Sequence, residues 1–280
     1  MYKILRKKVL NPTVTLMDVY APMVAKKAEP GQFIILRVDE NGERIPLTVA
    51  DFDREAGTVT IIFQIVGSTT EKLNRLEEGD YIHDFVGPLG VPSHTEGLKK
   101  VAVVGGGVGC AIAYPIAKKL HNLGCEVHSV IGFRNKDLVI LEDEFAAVST
   151  VLEVMTDDGS HGTQGLVTNA LLGLIEEGHE YDEVIAIGPL VMMKFVCKLT
   201  KNYGIPTVVS MNPIMIDGTG MCGGCRLTVG GQTKFACVDG PDFDGHLVDF
   251  DEAIERSTMY KGFERQKHEE TCNLFKKEVQ

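Results

Sequence analysis

The sequence predicts three structural units in order: an antiparallel β-barrel, a parallel α/β sheet and a small cysteine-rich module. Short strands separated by turn residues occupy residues 1–97, which is typical of a small barrel. Strands that alternate with helices follow over residues 98–210 and indicate a parallel sheet covered on both faces. Residues 211–280 begin rich in glycine and cysteine, become acidic and end in an amphipathic helical tail.

The composition excludes several classes of protein. The 280 residues exceed the usual length of one domain, and 44% hydrophobic with 24% charged residues suits a folded globular chain. The net charge of -11 disfavours binding to nucleic acid or to an anionic lipid surface. The N-terminus lacks the apolar stretch of a secretory signal, and the grouping of the cysteines favours metal ligation in a reducing compartment. We therefore expect a cytoplasmic protein without a membrane span.

The barrel prediction depends on strand patterns with a single helix among them. The helix is predicted over 69–76, with Ser68 or Thr69 as its N-cap and Leu73 facing the core. The predicted strands are 14–20, 32–38 and 58–66.

The α/β prediction begins at an apolar run over 101–117, which approaches the length of a membrane span. Several glycines and Pro115 interrupt this run, so a buried strand, a turn and the start of a helix explain it better. Further strands are predicted over 127–131, 151–155 and 183–187, and a further helix over 166–177.

A glycine-rich turn joins the first strand of this sheet to its helix. Backbone N–H groups at such a turn can face a pyrophosphate. The turn departs from the G-x-G-x-x-G pattern because Cys110 holds the last position, and Arg134 stands after the second strand in place of an acidic residue. A turn that binds nothing is the alternative. The glycines are Gly105, Gly106, Gly107 and Gly109.

Two later strands end in segments that favour nucleotide binding over that alternative. Asp157 follows one strand, and Gly188 and Pro189 follow the last one. The carboxyl ends of parallel strands meet at one edge of a sheet, where α/β proteins bind ligands. We therefore predict a dinucleotide site formed by the glycine turn, Arg134, Asp157, Gly188 and Pro189.

The spacing of three cysteines predicts a metal centre. Cys222, Cys225 and Cys237 supply three thiolates, and Asp217 lies five residues before Cys222. This order reproduces the plant-type [2Fe-2S] spacing with a carboxylate in place of the first cysteine. A structural zinc site is the alternative, with Asp217 or His246 as the fourth ligand. The remaining cysteines have no ligand spacing and are interpreted as core or surface residues: Cys110, Cys125, Cys197 and Cys272.

A barrel, a nucleotide-binding sheet and a two-iron spacing resemble, in this order, ferredoxin-NADP reductase-like electron-transfer flavoproteins with an appended cluster. The chain resembles the electron-transfer subunit of dihydroorotate dehydrogenase along nearly its whole length. It is more similar to the small (alpha) subunit of NADH-dependent ferredoxin-NADP oxidoreductase, also called the beta subunit of sulfide dehydrogenase. Residues 212–225 carry this second resemblance, since the dihydroorotate type normally has a cysteine where Asp217 stands.

The resemblance implies FAD on the barrel, NAD(H) on the α/β sheet and a [2Fe-2S] cluster that serves a larger flavin and iron-sulfur subunit. The flavin motif of the family is similar to the segment of Arg44, Pro46, Leu47 and Thr48. An arginine fork can clamp a pyrophosphate, although a surface charge is the alternative for Arg44. The start of the barrel helix can bind the same phosphate, with an ordinary N-cap as the alternative. Its residues are Gly67, Ser68, Thr69 and Thr70.

The resemblance also implies the chemistry. A flavin converts a hydride into single electrons and an iron-sulfur cluster accepts them, so no catalytic acid or base is assigned. Three hypotheses remain open: an electron-transfer subunit in a heterodimer or larger complex, a reductase without a partner, and a zinc-containing nucleotide-binding regulator. The exposed-looking tail over 255–280 favours the hypothesis of a partner subunit. Because ferredoxin is usually acidic, the acidic net charge of this chain suggests that ferredoxin docks on that partner. Asp157 favours NADH, whereas Arg134 favours NADPH.

Overall fold

The computed structural model describes residues 1–264 and residue 266. Cys272 and most of the predicted helical tail lie outside these residues. Within them, no helix is long and apolar enough to cross a membrane.

The first half of the fold is a seven-stranded antiparallel sheet that curls into a nearly closed barrel. Its spatial order is β6-β1-β2-β5-β4-β3-β7, and a single residue, His83, separates the two edge strands along the chain. This confirms the predicted barrel. The strands are β1 (Tyr2–Asn11), β2 (Val14–Tyr20), β3 (Phe33–Arg37), β4 (Arg44–Asp53), β5 (Thr58–Gln64), β6 (Tyr81–Ile82) and β7 (Asp84–Leu89).

Two helices accompany the barrel, where the sequence predicts one. The helix α2 (Ser68–Asn74) begins one residue before the predicted start and buries Leu73. The four-residue helix α1 (Pro22–Ala25) contradicts the prediction of a single helix. Proline at its first position suits a helix start, but so short a turn of helix leaves no periodic pattern in the sequence.

The second sheet is parallel apart from its last strand and has the order β11-β10-β9-β8-β12-β13-β16. The chain enters at the central strand β8, adds β9 and β10 on one side and then crosses to β12 and β13 on the other. The order reverses between β8 and β12, where such sheets form a ligand crevice. The strands are β8 (Lys100–Gly106), β9 (Glu126–Phe133), β10 (Val151–Thr156), β11 (Thr163–Gln164), β12 (Glu183–Ile187), β13 (Thr207–Ser210) and β16 (Asp242–Asp244).

Helices cover both faces of this sheet, as predicted. The helices α3 (Cys110–Asn122) and α4 (Glu142–Val148) pack on the face that includes Val101 and Val103. The helices α5 (Val167–Glu176) and α6 (Leu190–Asn202) pack on the face that includes Ala102 and Val104. Because β8 is buried on both faces, its residues form a continuous apolar run without alternation.

The C-terminal segment packs on both sheets. It forms the hairpin strands β14 (Arg226–Val229) and β15 (Gln232–Phe235), the helices α7 (Ala236–Asp239) and α8 (Phe250–Ser257), and the strand β16 that extends the parallel sheet. Cys225 and Cys237 share one apolar core with Phe33 and Ile35 of the barrel. The cysteine-rich module therefore has no separate core among the described residues.

Candidate functional site

The segment over residues 217–225, which we call the cysteine loop, packs against Cys237 on α7 and brings two sulfur atoms together in the core. Cys225 and Cys237 are buried, and their Sγ atoms lie 3.3 Å apart. The backbone N–H of Gly220 donates a hydrogen bond to Sγ of Cys237 at 3.1 Å. Burial, together with the neighbouring thiol, raises the pKa of Cys237 to about 12. A bound cation would be needed to hold this sulfur as a thiolate at neutral pH.

The remaining two predicted ligands form a second pair. The carboxylate of Asp217 accepts hydrogen bonds from the N–H of Thr219 at 2.9 Å and of Cys222 at 2.8 Å. These backbone donors lower the pKa of Asp217, so the group is ionised at neutral pH. Its carboxylate is therefore an anionic group held next to the backbone of Cys222.

This arrangement in two pairs fits a two-iron cluster better than a single zinc ion. Among the described residues, no group of three or more His, Cys, Asp or Glu side chains is placed to hold one metal ion. A structural zinc ion takes four ligands around one centre. A [2Fe-2S] cluster instead shares four protein ligands between two irons. The adjacent sulfur atoms of Cys225 and Cys237, and the Asp217 carboxylate beside the backbone of Cys222, are compatible with that division.

Glycines shape the cysteine loop and bring it onto the barrel. Gly218 has a φ of 75° and Gly220 a φ of 82°, a conformation that favours glycine. A Cβ built on Gly218 would lie 2.7 Å from Leu89 Cδ1 and 2.8 Å from Ile35 Cδ1. Glycine therefore allows this approach without displacing the ends of the Leu89 and Ile35 side chains. Sequence analysis missed these barrel contacts because no local pattern encodes them.

His246, the alternative fourth ligand, is engaged elsewhere. Its Nε2 lies 3.0 Å from the hydroxyl of Thr200 on α6, and Thr200 accepts a hydrogen bond from Thr207 at 2.6 Å. The structure therefore places Asp217 rather than His246 beside the cysteines.

The two segments predicted to bind flavin lie side by side. The hydroxyl of Thr69 on α2 donates to Glu43 Oε2 at 2.8 Å, and Glu43 immediately precedes Arg44. Arg44 is exposed at the start of β4, while Pro46, Leu47 and Thr48 are half-buried along it. Pro46 is paired with Ile35 across the β3 to β4 ladder, so this segment lies one strand from the residue that contacts the cysteine loop.

The N-cap residue of α2 is Gly67, so the prediction of Ser68 or Thr69 at that position was wrong, and the capping hydroxyl is that of Thr70. Its hydroxyl accepts hydrogen bonds from the N–H of Val66 at 2.9 Å and of Gly67 at 3.0 Å, and it donates to the carbonyl of Gly67. A hydroxyl occupied in this way stabilises the start of α2. Gly67 has open space where a side chain would stand, and Ser68 is half-buried beside it.

The glycine turn packs closely against the end of β12. A Cβ on Gly109 would lie 2.5 Å from the carbonyl oxygen of Ile187, and one on Gly106 would lie 3.1 Å from Pro189 Cδ. A Cβ on Gly188 would lie 3.1 Å from the Cα of Gly106. The side chain of Met192 on α6 also lies against both Gly106 and Gly188, so two glycine backbones and this side chain meet at the point where the strand order reverses.

Arg134 and Asp157 lie next to each other at the same edge. Both are exposed, and the N–H of Asp157 donates to the carbonyl of Phe133 at 3.1 Å. The following carboxylate, Asp158, accepts hydrogen bonds from the N–H and hydroxyl of Ser160 at 2.9 and 2.6 Å. These bonds lower the pKa of Asp158 and hold its carboxylate within its own turn.

Comparison with known proteins identifies relatives along most of the chain. The iron-sulfur cluster binding domain of dihydroorotate dehydrogenase B matches residues 212–249. An uncharacterised Clostridium beijerinckii protein from the adh 3' region is 55% identical over 93% of this chain and 91% of its own. The electron transfer subunit homolog of dihydroorotate dehydrogenase B (NAD(+)) from Thermotoga maritima is 50% identical over 90% of this chain and 88% of its own. The corresponding subunit of Bacillus caldolyticus is 35% identical over 79% and 87%.

Solved structures give the same relationship. A chain of the NADH-dependent reduced ferredoxin-NADP oxidoreductase, whose structure gives insights into flavin-based electron bifurcation, is 47% identical with a TM-score of 0.91. The alignment covers 96% of this chain and 97% of that chain. The ferredoxin reductase of carbazole 1,9a-dioxygenase has a TM-score of 0.63 at 18% identity, over 73% of this chain and 65% of its own, and shares the fold alone.

Proposed function

Because this chain belongs to the family of dihydroorotate dehydrogenase B electron transfer subunits and their homologues, we propose that it is an electron-transfer flavoprotein subunit. It exchanges hydride between NAD(H) and FAD and passes single electrons through a [2Fe-2S] cluster. The electrons go to or from a larger flavin and iron-sulfur subunit of an NADH-dependent ferredoxin-NADP oxidoreductase. The contact of Gly218 with Ile35 carries this proposal, since it joins the cysteine loop to the barrel one strand from Pro46.

A dihydroorotate dehydrogenase subunit is the second candidate. The match of residues 212–249 to the iron-sulfur domain of that enzyme favours it. Identity does not separate the two candidates, since it is 47% to a chain of the ferredoxin-NADP oxidoreductase and 50% to the dihydroorotate dehydrogenase B subunit homolog of Thermotoga maritima. One observation favours the ferredoxin-NADP oxidoreductase: Asp217 stands where the dihydroorotate type normally has a cysteine.

The residues of the barrel fit a flavin nucleotide. In the proposal, the Arg44 guanidinium binds the pyrophosphate and the half-buried segment from Pro46 to Thr48 lies along the flavin ring. The backbone of Gly67, Ser68, Thr69 and Thr70 binds the other side of the phosphate at the start of α2. When bound, FAD supplies the conversion between a hydride pair and single electrons. Residues 1–97 then form the flavin unit.

The residues of the crevice fit a dinucleotide. Gly105, Gly106, Gly107 and Gly109 form the turn that receives the pyrophosphate through backbone N–H groups. Gly188 and Pro189 form the opposite wall, and Arg134 and Asp157 lie at the adjacent strand ends for recognition of the ribose. Residues 98–210 then form the NAD(H) unit. The chain contributes orientation of the nicotinamide and needs no acid or base of its own.

The cysteine loop fits a [2Fe-2S] cluster held by Asp217, Cys222, Cys225 and Cys237. When bound, the cluster supplies transfer of one electron at a time. Residues 211–280 then form the iron-sulfur unit and the tail.

Apolar side chains around the loop indicate where the partner docks. Met221, next to Cys222, is 89% exposed, and Ile214 and Ile216 are also exposed. An apolar patch of this kind on a strongly acidic protein is typical of a protein interface. We place the larger subunit here.

The net charge of -11 disfavours docking of an acidic ferredoxin on this chain, so we place the ferredoxin site on the partner. In this proposal the protein acts in the cytoplasm, which is the reducing compartment that the grouping of the cysteines favours.

The experiment is to replace the ligands one at a time in the purified complex. Cys222→Ala, Cys225→Ala and Cys237→Ala should each lose iron and acid-labile sulfide but keep FAD and its reduction by NADH, because hydride transfer precedes the cluster. Cys125→Ala is the control, since Cys125 is buried at the start of the α/β sheet away from the loop. Stoichiometric zinc without sulfide in the wild type would contradict the proposal.

A further inference from the structure

Two arginine side chains contact two successive backbone carbonyls of the cysteine loop. Arg226 Nη1 donates to the carbonyl of Gly223 at 3.2 Å, and Arg256 Nη2 donates to the carbonyl of Gly224 at 3.4 Å. Gly223 and Gly224 are the two residues between Cys222 and Cys225. Two fixed positive charges therefore lie against the part of the loop that joins the two ligand pairs.

The two arginines reach the loop from different elements. Arg226 opens β14 directly after Cys225, and its side chain is exposed. Arg256 comes from the last turn of α8 and is half-buried. Neither the spacing of the cysteines nor the nucleotide-binding turns require these residues.

Several contacts hold α8 in the position that presents Arg256. The carboxylate of Glu252 accepts a hydrogen bond from the N–H of Thr228 on β14 at 3.0 Å. The N–H of Asp249 donates to the carbonyl of Thr228 at 2.9 Å. Lys194 of α6 forms an ion pair with Asp251 at 2.5 Å on the same helix. These contacts make the approach of Arg256 to the loop a fixed feature of the fold.

From this geometry we propose that Arg226 and Arg256 raise the reduction potential of the cluster, an inference that rests on the proposed function. Reduction adds one negative charge to a site that already has three thiolates and the Asp217 carboxylate. A nearby guanidinium favours the state with the extra negative charge, and the charge around a cluster is one of the factors that set its potential. The two guanidinium groups add positive charge beside the cysteine loop of a chain whose net charge is negative.

A purely structural role is the competing explanation. A neutral hydrogen-bond donor could also satisfy the carbonyls of Gly223 and Gly224, whereas only a cation shifts the potential through charge. Glutamine keeps a donor and loses the charge, and lysine keeps the charge and loses the planar fork. The variants Arg226→Gln, Arg256→Gln and Arg256→Lys therefore separate the two roles.

The experiment is a redox titration of the complex, followed by the paramagnetic signal of the reduced cluster. Arg226→Gln and Arg256→Gln should each shift the midpoint potential to a more negative value, and the double variant should shift it further. Arg256→Lys should stay near the wild-type value. Lys119→Gln is the control: it also removes a positive charge, but Lys119 is paired with Glu29 rather than with α8 or the loop, so the midpoint potential should stay at the wild-type value.

The outcomes separate this inference from the proposed function. A wild-type complex without a [2Fe-2S] signal would refute the proposed function itself. A normal signal with an unchanged potential in the double variant would overturn the inference alone. Loss of iron and sulfide in the glutamine variants would also overturn it, because the guanidinium groups would then be needed to build the loop.

Discussion

Gly218 of the cysteine loop lies directly on Ile35 of the barrel, with 2.8 Å between a Cβ built on Gly218 and the Cδ1 of Ile35. Ile35 belongs to the apolar core that also contains Cys225 and Cys237. The contact brings the cysteine loop to within one strand of the segment that contains Pro46, which pairs with Ile35.

Substitution of Gly218 should disrupt this contact. Gly218→Ala adds a methyl group against Ile35 and Leu89 and forces a side chain into a φ of 75°. The left-handed conformation costs about 1–2 kcal/mol and overpacking a further ~1–3 kcal/mol. We expect a corresponding loss in the free energy of unfolding, measured by urea denaturation, together with slower transfer of electrons from flavin to cluster.

Gly231→Ala is the control for Gly218→Ala. Gly231 has a φ of 76°, nearly the same as Gly218, but nothing lies within 4 Å of a Cβ built there. It should show the conformational cost alone and leave electron transfer unchanged. Equal destabilisation by the two variants would contradict the importance of the contact with Ile35.

Asp217 should behave as an iron ligand. Asp217→Ala removes the oxygen ligand and two backbone hydrogen bonds, so the cluster should become labile. Asp217→Cys should keep a two-iron cluster with a changed spectrum and potential, because a thiolate fits the plant-type spacing. Iron and sulfide analysis with the spectrum of the reduced state is the measurement. His246→Gln should change none of these, and an unchanged cluster in Asp217→Ala would exclude Asp217 as a ligand.

The sequence predicts well those features that depend on local patterns. The bounds of β2 (Val14–Tyr20) and β12 (Glu183–Ile187) agree with the predicted strands because alternation in β2 and a continuous apolar run in β12 mark them. The spacing of Asp217 and the three cysteines likewise needs only the local sequence. No local pattern predicts the strand β1, since half of its residues are exposed and it is held by pairing with β2 and β6.

Contacts between distant segments could not be predicted in this way. The strand β16 is a three-residue acidic segment that joins the parallel sheet through backbone pairing with β13. Arg256 reaches Gly224 only because α8 docks on β14 and α6. No periodicity or motif in these segments specifies the neighbour, so the structure alone reveals these contacts.

A buried carboxylate at the junction of the units should make stability depend on pH. Asp242 Oδ2 accepts a hydrogen bond from the hydroxyl of Ser93 at 2.5 Å, whereas its buried Oδ1 has no hydrogen-bond partner. Burial raises the pKa of Asp242, and the Ser93 hydroxyl offsets only part of this. Burial, and then the charge of Asp242, also raises the pKa of Glu183 to about 7.

The direction in which the free energy of unfolding changes with pH follows from the raised pKa values of the two carboxyl groups. Below the unfolded-state pKa of a carboxylic acid both states keep the proton, and stability is greatest. As the pH rises towards the folded-state pKa, the unfolded chain releases the proton first, so the free energy of unfolding falls. Asp242→Asn should remove the part of this fall that Asp242 causes, leave the part that Glu183 causes, and gain about 1–3 kcal/mol above neutral pH, measured by urea denaturation across pH. Asp244→Asn, at an exposed position of the same strand, is the control, and a parallel pH profile in Asp242→Asn would contradict the prediction.

The choice between NADH and NADPH should depend on Asp157. Arg134 and Asp157 are adjacent and exposed at the edge where we propose that the ribose binds, so the carboxylate would repel a 2′-phosphate that the guanidinium attracts. We expect the wild type to prefer NADH as the reductant of FAD. Asp157→Asn should then improve kcat/KM for NADPH relative to NADH by about tenfold, equivalent to ~1.4 kcal/mol.

Asp158→Asn removes the same charge from a carboxylate that is bonded to Ser160 within its own turn, and it should change the ratio little. Stopped-flow reduction of the flavin by each nucleotide measures the ratio. A clear NADPH preference in the wild type, abolished by Arg134→Gln, would show that the guanidinium governs the site instead.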